Sequence, residues 1–147
     1  MWVDSYQDLL TFPTYCTEKQ KEIHSKEKKS EHIAVNNEED FVRQIKIDGD
    51  VVPSNCTQER RADYLVLDET KKTAYLIELK GSHIKSAFVQ LENTDKNLRE
   101  ALKEHTVYWR VICSSKSLNL RNNDIKKYKK RHPRLEISKN ILRENIS

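Results

Sequence analysis

The sequence predicts an α/β fold in a single domain, a central mixed β-sheet flanked by helices. Two runs rich in Tyr, Leu, Val and Ile, Ala62 to Asp68 and Thr73 to Lys80, lie either side of Glu69-Thr70-Lys71-Lys72 and predict a hairpin. From Ser86 to Glu104 the period changes: Phe88, Leu91, Leu98 and Leu102 share one helical face, with Ala87 and Ala101 at its edge. A chain of 147 residues, 36% hydrophobic and 34% charged, has the length for one core and not for two.

The other elements follow in order. A short helix is predicted around Ser5 to Leu10. Thr17 followed by Gln20 fits a capping box, and Lys19 to Ser30 is rich in helix formers without Gly or Pro, so a second helix is predicted there. Phe41, Arg43, Ile45 and Ile47 alternate with Val42, Gln44 and Lys46 in a strand that ends at Asp48-Gly49-Asp50. Val107 to Cys113 is nearly continuous in apolar residues, as an inner strand covered on both faces would be. A basic helix is predicted from about Asn123 to Arg131, stopped by Pro133, and Arg134 to Ser138 alternates like a last, outer strand. The predicted order is helix, three strands, helix, strand, basic helix, strand. The whole of 1–147 is read as one domain, with the basic helix and last strand in 107–147.

Composition removes several function classes. No apolar run approaches the roughly 20 residues of a membrane-spanning helix, and the N-terminus has no basic segment leading into an apolar core. The expected compartment is therefore cytoplasmic. Cys16, Cys56 and Cys113 are widely spaced and outside any CxxC arrangement, against a disulfide scaffold or structural zinc. With 2 Gly, a phosphate loop or dinucleotide fingerprint is not expected. Charge is uneven: Val107 to Ser147 holds 11 Lys+Arg against 3 Asp+Glu, while the remainder is mildly acidic. That asymmetry suits a protein gripping a polyanion with one face, nucleic acid first among them, although Lys126, Lys127, Lys129, Lys130 and Arg131 equally suit a solvated helix.

The hairpin carries the chemistry. A symmetric turn sets Asp68 opposite Thr73, Leu65 opposite Leu76 and Asp63 opposite Glu78. Asp63, Leu65 and Leu67 then share a face with Ala74, Leu76, Glu78 and Lys80, while Tyr64, Val66, Tyr75, Ile77 and Leu79 make the other face apolar. Carboxylates opposite each other about 5 Å apart repel by ~3 kcal/mol at an effective dielectric near 20. A hard divalent cation such as Mg²⁺ turns this repulsion into a binding site, because it takes one or two carboxylates and fills its octahedron with water or phosphate oxygens. An ammonium at Lys80 would orient the attacking water or stabilise charge on phosphorus, and the Leu79 carbonyl is a further candidate ligand.

Asp63 followed by Glu78-Leu79-Lys80 on the next strand resembles the signature of the PD-(D/E)xK, restriction-endonuclease-like nucleases, with Ala62 where the motif has Pro. The resemblance implies a restriction-endonuclease-like core and a DNA endonuclease dependent on Mg²⁺, with Mn²⁺ able to substitute. Asp63 and Glu78 would hold the metal and Lys80 would assist the water. It also implies an acid from the first helix, Glu22 or Glu18, and a glutamine in the following helix, Gln90. Arg60, Arg61 and Lys85 are candidate phosphate contacts, with Lys126, Lys127, Lys129, Lys130 and Arg131 adding backbone affinity. Cutting both strands of a duplex calls for two sites, supplied by a homodimer or a larger assembly. The alternatives are a catalytically silent nucleic-acid-binding or assembly subunit, and an RNase.

Overall fold

The computed structural model describes residues 1–80, 84–114 and 123–147, with the backbone alone of Lys80. In chain order its elements are α1 (Tyr6–Leu9), β1 (Glu22–Glu27), β2 (Ser30–Val35), β3 (Val42–Lys46), β4 (Tyr64–Asp68), β5 (Thr73–Lys80), α2 (Ile84–Leu98), β6 (Thr106–Cys113), α3 (Asn123–Arg131), β7 (Leu135–Lys139) and β8 (Ile141–Asn145). The main sheet has the order β3-β4-β5-β6-β7, antiparallel through β5 and parallel from β5 to β7. A second sheet, β1-β2-β8, pairs antiparallel and then parallel. Both are mixed, and the molecule is a single α/β domain. Among the described residues no helix is long and apolar enough to cross a membrane.

The predicted hairpin register is the observed one: Tyr64 pairs with Ile77, Leu65 with Leu76 and Asp68 with Thr73. Alternation then sends successive side chains to opposite faces. Leu65, Leu67, Ala74 and Leu76 pack on Ala87, Phe88, Leu91 and Leu98 of α2, with Leu9 of α1 and Ile125 of α3 in the same layer. Val66, Tyr75, Ile77 and Leu79 pack instead on Ile23 and Ala34 of the small sheet. Helices thus cover one face of the main sheet and a second sheet covers the other. Phe88 stacks on Tyr128 with ring centroids 4.2 Å apart, holding α3 beside α2.

Two expectations are corrected. The main sheet is not flanked by helices on both sides, and the segment Lys19 to Ser30 is not a helix but the approach to β1, its turn and the start of β2. The capping pattern is real but local: the Thr17 amide donates to Gln20 Oε1 at 3.0 Å and the Gln20 amide to the Thr17 carbonyl at 3.2 Å, closing a turn that leads into a strand. Five strands therefore precede α2 where three were expected, and β8 adds an unexpected strand at the C-terminal end.

Candidate active site

Pairing between β4 and β5 stops at Tyr64–Ile77, one residue short of Asp63. Asp63 leaves the ladder there. Its amide donates to the Ile77 carbonyl at 3.0 Å on one side, while its own carbonyl accepts from the amides of Ile47 at 3.0 Å and Asp48 at 3.3 Å on the other. Asp63 and Tyr64 thus both face Ile77, a bulge at the turn into β4, and the residues of β5 beyond Ile77 have no β4 partner in the ladder. The orphan amide of Leu79 is satisfied by a side chain instead, donating to Asp63 Oδ2 at 2.7 Å.

The turn is held from α2. Asn93 Nδ2 donates to the Arg60 carbonyl at 2.6 Å, and the Ala62 amide donates to Thr94 Oγ1 at 2.8 Å, whose hydroxyl bonds back to the Gln90 carbonyl at 2.7 Å. Ala62 and Thr94 are fully buried. Asn93 and Thr94 are positioning residues that pattern reading missed, and the signal for them was slight: a pair of poor helix formers inside a strong helical stretch. They fix where Asp63 stands.

Asp63 and Glu78 lie near each other although the ladder ends one residue before Asp63, and Glu78 is among the groups that shift the Asp63 carboxyl. Asp63 is 8% exposed and Glu78 fully buried. Burial pushes the Asp63 carboxyl up to about 6; the Leu79 amide pulls it back, the nearby charge of Glu27 raises it, Glu78 lowers it and Asp48 raises it again. Gln90 reaches this pair from α2. In the amide orientation that satisfies both neighbours, its Nε2 donates to Glu78 Oε2 at 2.7 Å and to the Ser86 carbonyl at 3.1 Å.

A cavity of about 780 Å³ opens above Asp63. Leu79 and Gln90 line it together with Asp48, Arg60 and Arg61 of the loop before β4 and residues Glu27 to Ser30 of the β1–β2 turn. Glu59 lines it as well, so acids and cations are mixed in its wall, and Asp63 is the buried one of its acids.

The remaining expected residues are distributed unequally. Arg60 is exposed and lines the cavity. Arg61 lines it too, but its guanidinium is already engaged: Nε and Nη2 bond Asp48 Oδ1 at 3.2 and 3.0 Å, Nη1 bonds the carbonyls of Cys56 and Glu59, and Nη2 reaches that of Ser54. These bonds fold the loop. Glu22 is displaced from the expected role. It begins β1, five residues from Glu27 and so roughly 16 Å from the turn, and is half-buried and paired with Arg143 at 2.6 Å and His24 at 3.3 Å. The hydrogen bond from Arg143 holds its carboxyl below the usual range. Glu18 is exposed in the segment before β1. Lys85 is exposed at the start of α2, and Lys126, Lys127, Lys129 and Lys130 are exposed on α3. Arg131 lies 3.6 Å from Glu92 and over the Tyr128 ring. The side chain of Lys80 lies outside the described residues, and the backbone of Lys80 pairs with Cys113.

The donor set fits a hard divalent cation. Asp63 lines the cavity with Glu78 buried near it, and the Asp63 pKa is raised by burial and by the further acids Glu27 and Asp48. Among the described residues no ion pair joins Asp63 to a Lys or Arg, and no group of three or more His, Cys, Asp or Glu is assembled to hold a metal. Such a cation would draw its other ligands from water and phosphate, which is the habit of Mg²⁺. The chain matches no family model, no curated protein and no solved structure.

Proposed function

We propose that this protein is a metal-dependent endonuclease that hydrolyses DNA phosphodiester bonds, built on a restriction-endonuclease-like core and using the PD-(D/E)xK arrangement of Asp63, Glu78 and Lys80. The observation that carries the reading is the approach of Asp63 and Glu78 at the open end of β5, beside a cavity with Lys and Arg in its wall. Two acids brought near each other in a buried place are costly unless a cation offsets their charge.

Each residue has a task that its surroundings suit. Asp63, held by the Leu79 amide on Oδ2, lines the cavity and is mostly ionised at neutral pH. Glu78 is oriented by Gln90, so that one oxygen is engaged from α2 and the carboxyl plane is fixed. Mg²⁺ or Mn²⁺ bound between them would lower the pKa of an attacking water and offset charge on the phosphate. Leu79 lines the cavity and offers its carbonyl as a further ligand, while Lys80, two residues beyond Glu78, is the residue to orient the water. The exposed lysines of Lys85 and α3 add affinity for the backbone of a polyanion, and a homodimer would supply a second site for a duplex.

A second reading has a specific observation behind it: Asp63 already satisfies an orphan amide, so the pair could serve a silent nucleic-acid-binding subunit. Incubating the purified protein with supercoiled plasmid, single-stranded DNA and RNA, in millimolar Mg²⁺ or Mn²⁺ and in EDTA, separates the two. The nuclease reading expects metal-dependent cleavage of DNA, abolished in Glu78→Ala and in Lys80→Ala. Cleavage that survives both substitutions, or survives EDTA, overturns the assignment.

A further inference from the structure

We propose that the β1–β2 turn, with Lys28 and Lys29 at its tip, is a phosphate clamp that admits one strand of nucleic acid at a time to the Asp63–Glu78 pair. What becomes of the strand rests on the nuclease reading; the binding does not.

The turn lies where a clamp would. Its sheet packs on the face of the main sheet opposite α2, yet Lys28, Lys29 and Ser30 line the same cavity as Asp63 and Gln90. The turn therefore overhangs the end of β5 from one side while Arg60 stands on the other. All three cations are exposed, and among the described residues none of them forms an ion pair, in contrast to Arg61 in the same wall. The exposed Lys28, Lys29 and Arg60 offer charge to flanking phosphates, while the wall acids Glu27, Asp48 and Glu59 keep the strand to the path between those cations.

The backbone supports this placement. Glu27 pairs with Ser30, so the connection is a two-residue turn, and Lys28 stands in it at φ 50°, a left-handed conformation that Gly or Asn ordinarily takes. A lysine at that position is unfavourable for the turn itself. The hairpin is also fixed in place rather than free. Gln44 of β3 donates to the His24 carbonyl at 2.8 Å and to Ser25 Oγ at 2.9 Å, and Ser25 and Ser30 are buried. The two lysines thus project from a braced support, which lowers the ordering cost of binding.

Size selects the ligand. A cavity of about 780 Å³ is the scale of a small-molecule site, enough for a nucleotide or two and far too small for a duplex. A single strand passing between the Lys28–Lys29 tip and Arg60 fits; paired DNA would meet the tip first.

Fluorescence anisotropy in EDTA, with a labelled single-stranded oligonucleotide and the corresponding blunt duplex, tests the clamp without hydrolysis. The single strand is expected to bind about tenfold tighter than the duplex. In the Lys28→Ala, Lys29→Ala double variant the single strand should bind about tenfold more weakly, and its plot of log K against log salt should flatten by about 1.4, two contacts of ~0.7 each. Lys28→Gly should flatten it by about 0.7 while melting no lower than the parent, which a purely structural lysine would not do. Unchanged affinity and slope in the double variant, or duplex binding as tight as single strand, overturns the clamp. The two proposals fail separately: lysine-dependent strand binding by a protein that never cuts in Mg²⁺ or Mn²⁺ keeps the clamp and removes the nuclease. Metal-dependent cutting that the double variant retains in full does the reverse.

Discussion

The β4–β5 hairpin carries a carboxyl pair at each end, and the two pairs resolve the same electrostatic problem differently. At the turn end, Asp68 is fully buried and its carboxyl is pushed up to about 6, first by burial and then by its hydrogen bond to Asp40. The protein supplies its own cation there. Lys71 donates its amide to Asp68 Oδ1 at 2.9 Å and its ammonium to Asp40 Oδ2 at 2.9 Å and Glu38 Oε2 at 2.6 Å, and these acids raise the Lys71 pKa in turn. At the open end, Asp63 also rises to about 6, but Glu27 and Asp48 raise it further and Asp63 faces a cavity. Two buried acids near each other are therefore not in themselves a metal site. The two ends differ in that Lys71 closes the pair at the turn, whereas at the open end Asp63 lines a cavity.

Substitutions at the two ends test this contrast most strongly. Asp63→Asn and Glu78→Ala should each lower DNA cleavage by about 10³-fold, while Asp68→Asn should leave the rate within about twofold of the parent, as measured on a labelled single-stranded DNA. Equal losses at both ends would erase the distinction.

Stability against pH comes next. Asp63 has a folded-state pKa near 6, above the ~3.9 of an unfolded aspartate, so the folded protein prefers it protonated. Its ionisation costs nothing below about pH 4 and up to about 3 kcal/mol above pH 6, the loss accumulating as pH rises between the two. Without metal, Asp63→Asn should remove this part of the pH dependence and be the more stable protein at pH 7, which paired urea melts at pH 4 and pH 7 would reveal. A variant less stable than the parent at pH 7 would mean that the carboxylate has a compensating cation.

Smaller effects sharpen the picture. Gln90→Ala should lower cleavage by about 10- to 100-fold, since it removes the hydrogen bond that orients Glu78 and leaves both carboxyls in place. Mg²⁺ at ten times its Kd should stabilise the parent by about 1.4 kcal/mol, a shift of a few degrees in Tm, and should not stabilise Asp63→Asn. Glu22→Gln should leave cleavage unchanged, because its partners are Arg143 and His24 on the surface of the small sheet.

The two hairpins also differ in how far they could be read from sequence. In β4–β5 the inward residues are Leu, Val, Ile and Tyr, and the polar turn between them is symmetric, so register and the meeting of Asp63 with Glu78 followed directly. In β1–β2 the alternation is equally regular, with Ile23 and Ser25 buried on β1 and Ser30, His32 and Ala34 on β2. Most of those inward residues are polar, so hydropathy conceals the period. Their partners are also remote. Ser25 bonds Gln44, and His32 Nε2 lies 2.7 Å from Glu144 Oε2, which is shared with Arg110 Nε at 2.7 Å. A helix was expected because Lys and Glu dominate the outward positions and a local Thr17–Gln20 turn mimics a cap. The cavity wall was lost with that strand pair, because Lys28 and Lys29 gain meaning only once β1 and β2 are docked beside β5. The bonds of Arg61 were illegible for a related reason: the carbonyls it meets belong to a loop whose path no local pattern specifies.

Binding of Mn²⁺, followed by the electron paramagnetic resonance of the free ion, tests the open pair most directly. The parent should take up a single Mn²⁺ with an affinity that falls as pH drops through about 6, where Asp63 gains its proton; Asp68→Asn should bind as the parent does, and Asp63→Asn should not bind. Mn²⁺ uptake that persists in Asp63→Asn, or a parent that binds none at neutral pH, would contradict the assignment.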